Sequence, residues 1–446
     1  MNRYVKIKDI AVLNRETFKK GSLPNIIKYL DTGSLTKNKI EGFQHLNIKL
    51  DKIPSRAQRK VRTNTILYST VRPNQEHFGI IEREFEDIVA STGFTTIDIT
   101  DKTVFPKFIF YLITQPNITE YLHTIGMNSV SSYPSISPDD IGNLKFKIPD
   151  LPTQKSIAKV LSDLDAKIEL NNKINRELEA MAKTLYDYWF VQFDFPVRTL
   201  SGVEGYKSSG GKMVYNAELK REIPEGWAVK KLGDLGDFKN GVNYDPSNPG
   251  EIACPIINVR NISASSFFIK NEDLDIIYLR ESDVRKYSVN AGSIIIARSG
   301  IPGATRMISD IAENTLYCGF AIHYSLNNLG FKIPVFFFLK SLEEHIQSGS
   351  GGTILKNVNQ GTLNALKIVL PKEDSTVSKF NNLIEPIFGK ITNVQKQNQH
   401  LTTLRDWLLP MLMNGQVTVR QAHGNAVQEA EERLNMAAEP SVKYGS

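Results

Sequence analysis

The stretch LPTQKSIAKVLSDLDAKIELNNKINRELEAMAKTLYDYWFVQFDFP, from Leu151 to Pro196, decides how the rest of the chain is read. Its apolar positions run Leu161, Leu164, Ile168, Ile174, Leu178, Met181, Leu185 and Trp189, mostly three and four apart with charged or amide residues between them. That spacing is a heptad-like seam along one face of a long helix. At an offset of 223 residues the seam returns as Ile384, Ile387, Ile391, Val394, Leu401, Leu404, Leu408 and Leu412, interrupted by Pro386 and Gly389 near its start and Pro410 near its end. A helix of about 35 residues is a rod roughly 50 Å long. It cannot bury its stripe alone, and the simplest solution is two such helices packed on each other.

Working outward, the segments before each helix also repeat. TILYSTVRP (Thr65 to Pro73), STGF (Ser91 to Phe94) and LKFKIPDLP (Leu144 to Pro152) are followed, in the same order, by GSIIIARSGIPG (Gly292 to Gly303), YCGF (Tyr317 to Phe320) and LKIVLP (Leu366 to Pro371). A period near 225 residues therefore divides the chain into two halves. Short Ile-rich runs bounded by Gly, Pro and Ser predict strands over 65–68 and 293–297, with further strands over 96–99, 145–148 and 367–370. The fold class is α+β: two mixed α/β domains, over 1–151 and 223–372, each leading into a long helix, over 152–193 and 373–415. Residues 194–222, rich in Gly, Ser and charge, read as a linker, and 416–446 as a flexible tail.

With 41% hydrophobic and 23% charged residues, the 446-residue chain has apolar surface for more than one core. Its longest apolar stretch, about Ile333 to Leu339, falls far short of the roughly 20 residues of a bilayer span. No basic-then-apolar signal opens the chain, and the two cysteines, Cys254 and Cys318, offer no disulfide framework. The expectation is a cytoplasmic protein with no membrane partner.

Motifs that carry enzymatic chemistry are missing. The chain has no G-x-x-x-x-G-K-[ST] phosphate loop, no G-x-G-x-x-G turn after a strand, no H-E-x-x-H or C-x-x-C pair, and no N-P-P-Y or D-P-P-Y segment. The carboxylate clusters EREFED (Glu82 to Asp87) and Pro138-Asp139-Asp140 lack the nearby strand lysine of a metal-dependent nuclease and read as solvated surface. The seven histidines are scattered. Neither a catalytic nor a metal-ligating set is expected.

Charge is informative locally. The net balance is 54 − 48 = +6, which by itself decides little. Between Lys52 and Gln75, however, lie Lys52, Arg56, Arg59, Lys60, Arg62 and Arg72 with no acidic residue. Such a run can neutralise phosphates, while Arg and amide side chains can reach base edges. The bland reading of the run is a solvated basic face. Residues 223–371 hold 14 basic and 14 acidic groups, so candidates there rest on loops: Arg298, Arg306 and Lys356, with Asn357, Asn359 and Gln360 in SGSGGTILKNVNQG (Ser348 to Gly361). By the repeat that loop corresponds to GMNSVSSYPSIS (Gly126 to Ser137), which contributes Asn128 and Tyr133.

Taken in order, the central segment Leu151 to Pro196, the stretch YKSSGGKMVYN (Tyr206 to Asn216), IPEGW (Ile223 to Trp227) and ILYSTVRP (Ile66 to Pro73) resemble the specificity subunit of a type I restriction–modification system. The resemblance covers nearly all of residues 1–415. It implies two target-recognition domains joined by an antiparallel coiled-coil pair of helices with a pseudo-two-fold repeat, each domain reading one half of a split, asymmetric site in double-stranded DNA. It further implies docking of methyltransferase subunits, two by the symmetry of the repeat, and of restriction–translocase subunits through the complex. S-adenosylmethionine, ATP and Mg are expected on those partners, with no cofactor on this chain. Tyr186, Tyr188, Trp189, Phe190 and Trp407 are the candidate docking aromatics, because YDYWFVQF is too apolar all round for one seam; the bland reading is that they complete the helix-pair core. Arg72 has no repeat partner, since ARSGIPG stands where the first half has STVRP. The rival readings are an interaction scaffold with duplicated peptide- or carbohydrate-binding domains, and an enzyme acting on DNA alone.

Overall fold

The computed structural model describes residues 3–419 apart from 20, 22, 84–86, 130–132, 200–201, 246, 248, 272–273 and 348–357. Two compact units are present, Met1–Glu169 with Gln399–Ser446, and Leu170–Asn398. The division falls inside both long helices, so each unit owns a part of each.

The first long helix spans Leu151–Tyr186 and the second Asp374–Met413. The second runs on through Pro386, because Ile384, Phe388 and Ile391 on either side are buried in the same core and hold the backbone helical. In unit 2, Asn398 donates to Asn172 at 2.8 Å and Asn175 donates to the Ile391 carbonyl at 3.3 Å, so the helices run antiparallel there. In unit 1, Arg405 pairs with Asp165 at 3.0 Å, and the Tyr111 hydroxyl donates to the same carboxylate at 2.6 Å.

Unit 1 carries two four-stranded sheets. One has the order Ala11–Leu13, Phe94–Ile99, Ile66–Ser69, Phe78–Ile80, and the other Gln44–Asn47, Ile26–Leu30, Ile88–Ser91, Ala57–Lys60. Arg3–Lys6 pairs with Lys145–Ile148 beside them. Ile66 and Tyr68 alternate onto a core shared with Phe108, Leu122, Leu161 and Leu412, so the start of one long helix and the end of the other close the same core.

Unit 2 repeats the first sheet with different residues, but its second sheet has three strands among the described residues, with no counterpart of Ala57–Lys60. Gly236–Asn240, Ala321–Leu326, Ile294–Ala297 and Thr305–Met307 form the equivalent of the first sheet. Ile252–Ile257 pairs in parallel with Leu316–Tyr317, as Ile26–Leu30 does with Ile88–Ser91 in unit 1. Trp227–Lys231 pairs with Lys367–Pro371. All five strands expected from the sequence are present within a residue or two.

The segment over 194–222 departs from the linker expectation. It forms two antiparallel hairpins, Pro196–Thr199 with Gly202–Gly205 and Met213–Asn216 with Arg221–Pro224. Phe195 stacks between Tyr206 (4.6 Å) and Trp227 (5.3 Å), which docks the hairpins on the unit 2 core. Ser208, Ser209 and Gly210 are turn residues between the two hairpins, while Gly202 and Gly205 lie in a strand. Of the expected tail, Val417 and Val419 pack against the unit 1 core; 420–446 lies outside the described residues.

Candidate nucleic-acid interface

Of the basic run of unit 1, Arg59 and Lys60 lie on the edge strand Ala57–Lys60, with Lys52 and Arg56 before it and Arg62 in the turn after it. An edge strand presents alternate side chains to each face, which separates these cations. Lys52 and Arg56 are exposed. The segment Glu16 to Phe18 pairs along the outer side of the strand, with Phe18 N donating to Gln58 O and Lys60 N to Glu16 O. This brings Glu16 against the basic run: Arg62 hydrogen-bonds its carboxylate and Lys60 Nζ stands 3.7 Å away, while also lying over the Phe18 ring. The Arg62 hydrogen bond, with the Arg62, Lys60 and Arg15 charges, holds the Glu16 carboxyl below its ordinary range. Arg59 is half-buried; burial lowers its pKa, and its Nε has no hydrogen-bond partner among the described residues. The run is therefore basic but partly compensated in place by an acid 44 and 46 positions before the two cations it pairs with.

Arg72, Asn128 and Tyr133 come together at one end of unit 1. The Arg72 guanidinium lies 4.8 Å over the Tyr133 ring, and Arg72 N donates to Pro134 O at 2.8 Å. Tyr133 is 56% exposed. Asn128 caps the helix Pro116–Met127 and its amide donates back to Thr124 O. Ser135 N donates to Gly126 O and Ile136 N to Thr70 O, which ties the loop to the sheet. Asn74 and Gln75, both exposed, complete the turn. These two amides were overlooked in the sequence because neither carries charge, although they adjoin Arg72 inside the basic run.

In unit 2 the candidates separate. Arg298 is half-buried and donates to Gly319 O at 3.1 Å. The repeat-equivalent Thr70 Oγ1 donates to Gly93 O at 2.9 Å, so Arg298 makes a structural bond common to both domains. Arg306 corrects the sequence expectation. It is 4% exposed, pairs with Glu343 at 2.8 Å, and donates to Ser265 O at 2.6 Å and Thr305 O at 2.7 Å. A guanidinium so enclosed holds strand Thr305–Met307 to helix Lys332–Gln347 and does not face a ligand. Lys340 also reaches Glu343 at 2.8 Å. Burial alone would raise the Glu343 pKa, but the Arg306 hydrogen bond and the Arg306 and Lys340 charges outweigh it and lower it. Asn359 Oδ1 caps the helix Gln360–Ala365 by accepting from Thr362 N, and Gln360 opens that helix half-buried. Lys356 and Asn357 lie outside the described residues. Exposed Phe320 and Tyr244 were not foreseen.

The docking aromatics also divide. Tyr186, Trp189 and Phe190 are buried in the unit 2 core, with Phe190 4.9 Å from Phe380 and Tyr186 stacked on Phe337 at 5.4 Å. The helix ends in a π turn over Asp187–Val191, with Gln192 N donating to Asp187 O. Tyr188 (48%) and Trp407 (45%) stay exposed. Among the described residues no three His, Cys, Asp or Glu converge to hold a metal ion, and no helix is long and apolar enough to cross a membrane.

The family described as the type I restriction modification DNA specificity domain matches residues 2–180 and again 224–401, one copy for each repeat. The chain belongs to this family. It is similar to the type I restriction enzyme HindI specificity subunit of Haemophilus influenzae, with 26% identity over 92% of this chain and 98% of that one. It is also similar to the MjaIX specificity subunit of Methanocaldococcus jannaschii, with 28% identity over 80% of this chain and 78% of that one. Its fold resembles the crystal structure of a type I restriction–modification system S subunit from M. genitalium, at a TM-score of 0.51, 14% identity, and coverage of 92% and 96%. As a type I specificity chain, it carries two copies of the specificity domain that share the first sheet and differ in the second sheet and in the turns.

Proposed function

We propose that the chain is the DNA-recognition subunit of a type I restriction–modification complex, each domain reading one half of a bipartite, asymmetric duplex site. It directs adenine-N6 methylation and restriction performed by partner subunits. The observation that carries this reading is the duplication itself: one sheet topology occurs twice, within two copies of a DNA specificity domain, with different side chains on equivalent turns. Two such readers in one chain suit two unlike half-sites. The paired helices set the spacer; a 36-residue helix is about 54 Å long, enough to hold readers roughly one DNA turn, about 34 Å, apart. In unit 1, Lys52, Arg56, Arg59, Lys60 and Arg62 contact phosphates, and Arg72, Asn128 and Tyr133 approach the grooves. In unit 2, Arg298, Asn359 and Gln360 border the reading surface, and Lys356 and Asn357, outside the described residues, are further candidates from the sequence. Tyr188 and Trp407 anchor methyltransferase subunits, two per chain, because exposed aromatics suit a protein interface. S-adenosylmethionine, ATP and Mg act on the partners, and the complex works in the cytoplasm.

A base-resolution map of modified adenines, compared between the source strain and a deletion of this gene, tests the reading. The expected result is a split motif with a fixed undefined spacer that vanishes on deletion. Reconstitution with the neighbouring methyltransferase that yields no gene-dependent adenine motif would overturn it.

A further inference from the structure

The two domains differ at one turn in a way that backbone physics makes informative. Tyr68 pairs with Phe78 in unit 1, and Ile296 pairs with Thr305 in unit 2, so each pair marks the mouth of an equivalent hairpin. Four residues past the first strand position stand Arg72 in one domain and Gly300 in the other, and two residues before the second stand Glu76 and Gly303. All four are left-handed, with φ of 49° at Arg72, 56° at Glu76, 74° at Gly300 and 83° at Gly303. The fold thus requires positive φ at both places, and unit 2 meets the requirement with the residue that bears it without strain. Unit 1 holds two side chains there against that preference.

Those side chains belong to a fixed and exposed group. Pro73 is buried and starts a 3-10 turn over Pro73–Gln75, closed by Gln75 N to Arg72 O at 2.8 Å and Glu76 N to Pro73 O at 2.9 Å. The Arg72 guanidinium lies over the Tyr133 ring, 4.8 Å from its centroid, a contact an arginine makes on an aromatic face. Glu76 is held by Lys37 at 2.7 Å. The Asn74 and Gln75 side chains are both exposed. A planar arginine fork beside two open amides is the chemistry that reads guanine O6 and N7 and adenine N6 and N7 in the major groove.

We propose that the turn Arg72–Glu76 is the base-reading element of the first domain, with Arg72 reading guanine and Asn74 or Gln75 an adjacent adenine. The inference rests on the DNA-recognition reading above. It also means that the second domain, with SGIPG at this place, reads its half-site from other loops.

The test uses the full chain in complex with its methyltransferase and short duplexes carrying the motif mapped in the wild-type strain, with each base pair exchanged in turn. Arg72→Gly is expected to keep the thermal midpoint, since the fold already uses glycine at the equivalent place. It should lose discrimination by roughly 5- to 150-fold at one G·C pair in one half of the motif. Arg72→Lys, which keeps the charge and loses the fork, should lose it at the same pair and settles the matter if the glycine variant fails to fold. Uniform weakening on all duplexes would make Arg72 a phosphate contact and overturn the proposal, as would unchanged discrimination or release of the methyltransferase. If the wild-type strain has no gene-dependent motif, it is the DNA-recognition reading that fails, and the two failures are thereby distinguished.

Discussion

Replacing Glu343 with alanine tests how Arg306 is used. The Glu343 carboxylate accepts from Arg306 Nη1 and Lys340 Nζ at 2.8 Å each and from Thr305 N at 3.2 Å, and the acid is 5% exposed. Its removal leaves a guanidinium enclosed beside a lysine with the Glu179 carboxylate left to oppose both charges, and a broken buried pair costs roughly 3–5 kcal/mol. Arg306 keeps its bonds to Ser265 O and Thr305 O, which favours the lower end, about 3 kcal/mol. For a unit of about 230 residues that is roughly 6–12 °C in thermal midpoint. Trp189 and Trp227 both lie in the unit 2 core, so urea unfolding of the full chain followed by tryptophan fluorescence reports on the affected unit. Arg306→Met, which leaves Glu343 its Lys340 partner, should lose less stability and leave the salt dependence of DNA binding unchanged. A Glu343→Ala chain within 1 kcal/mol of wild type would refute the reasoning. So would an Arg306→Met chain of full stability whose DNA binding has a shallower salt slope, because that is the signature of a phosphate contact.

Four further outcomes are expected. Glu16→Gln releases Lys60 and Arg62 from their acid, so DNA affinity should rise and the slope of log K against log salt should steepen by about one; titration at several salt concentrations checks this. Asn175→Leu removes a buried side-chain oxygen without a partner and should stabilise the helix pair by about 1 kcal/mol, at some loss of register specificity; a destabilised variant would mean its bond to Ile391 O matters more. Burial and the Lys239 charge lower the His323 pKa to about 4, so the folded state resists protonating it. Its contribution is present above about pH 6.5 and lost as pH falls toward 4, with a slope of at most about 1.4 kcal/mol per pH unit, and His323→Gln should flatten a stability profile over that window. Tyr188→Ala should leave stability within about 0.5 kcal/mol yet release a methyltransferase subunit in gel filtration.

The long helices and the strands were legible because their signals are periodic and local. Leu161, Leu164 and Ile168 mark a helical face whatever packs against it, and Ile294 to Ala297 bounded by Gly and Arg is a strand in either half of the repeat. The duplication was legible too, since STGF and YCGF, or LKFKIP and LKIVLP, recur in order along the chain. What tertiary structure decided is which charges and rings remain available. Arg306 and Arg72 are both arginines in polar surroundings, yet the first is enclosed by Glu343, 37 positions away, and the second lies open on Tyr133, 61 positions away. Glu16 reaches the basic run only because its segment pairs with the edge strand. Trp189 and Phe190 are buried because the fold brings Phe380 and Trp227, far along the chain, against them. The periodicity of a sequence sets its elements because backbone hydrogen bonds close within a few residues or in register, whereas the burial of a charge depends on partners that only chain folding brings within bonding distance.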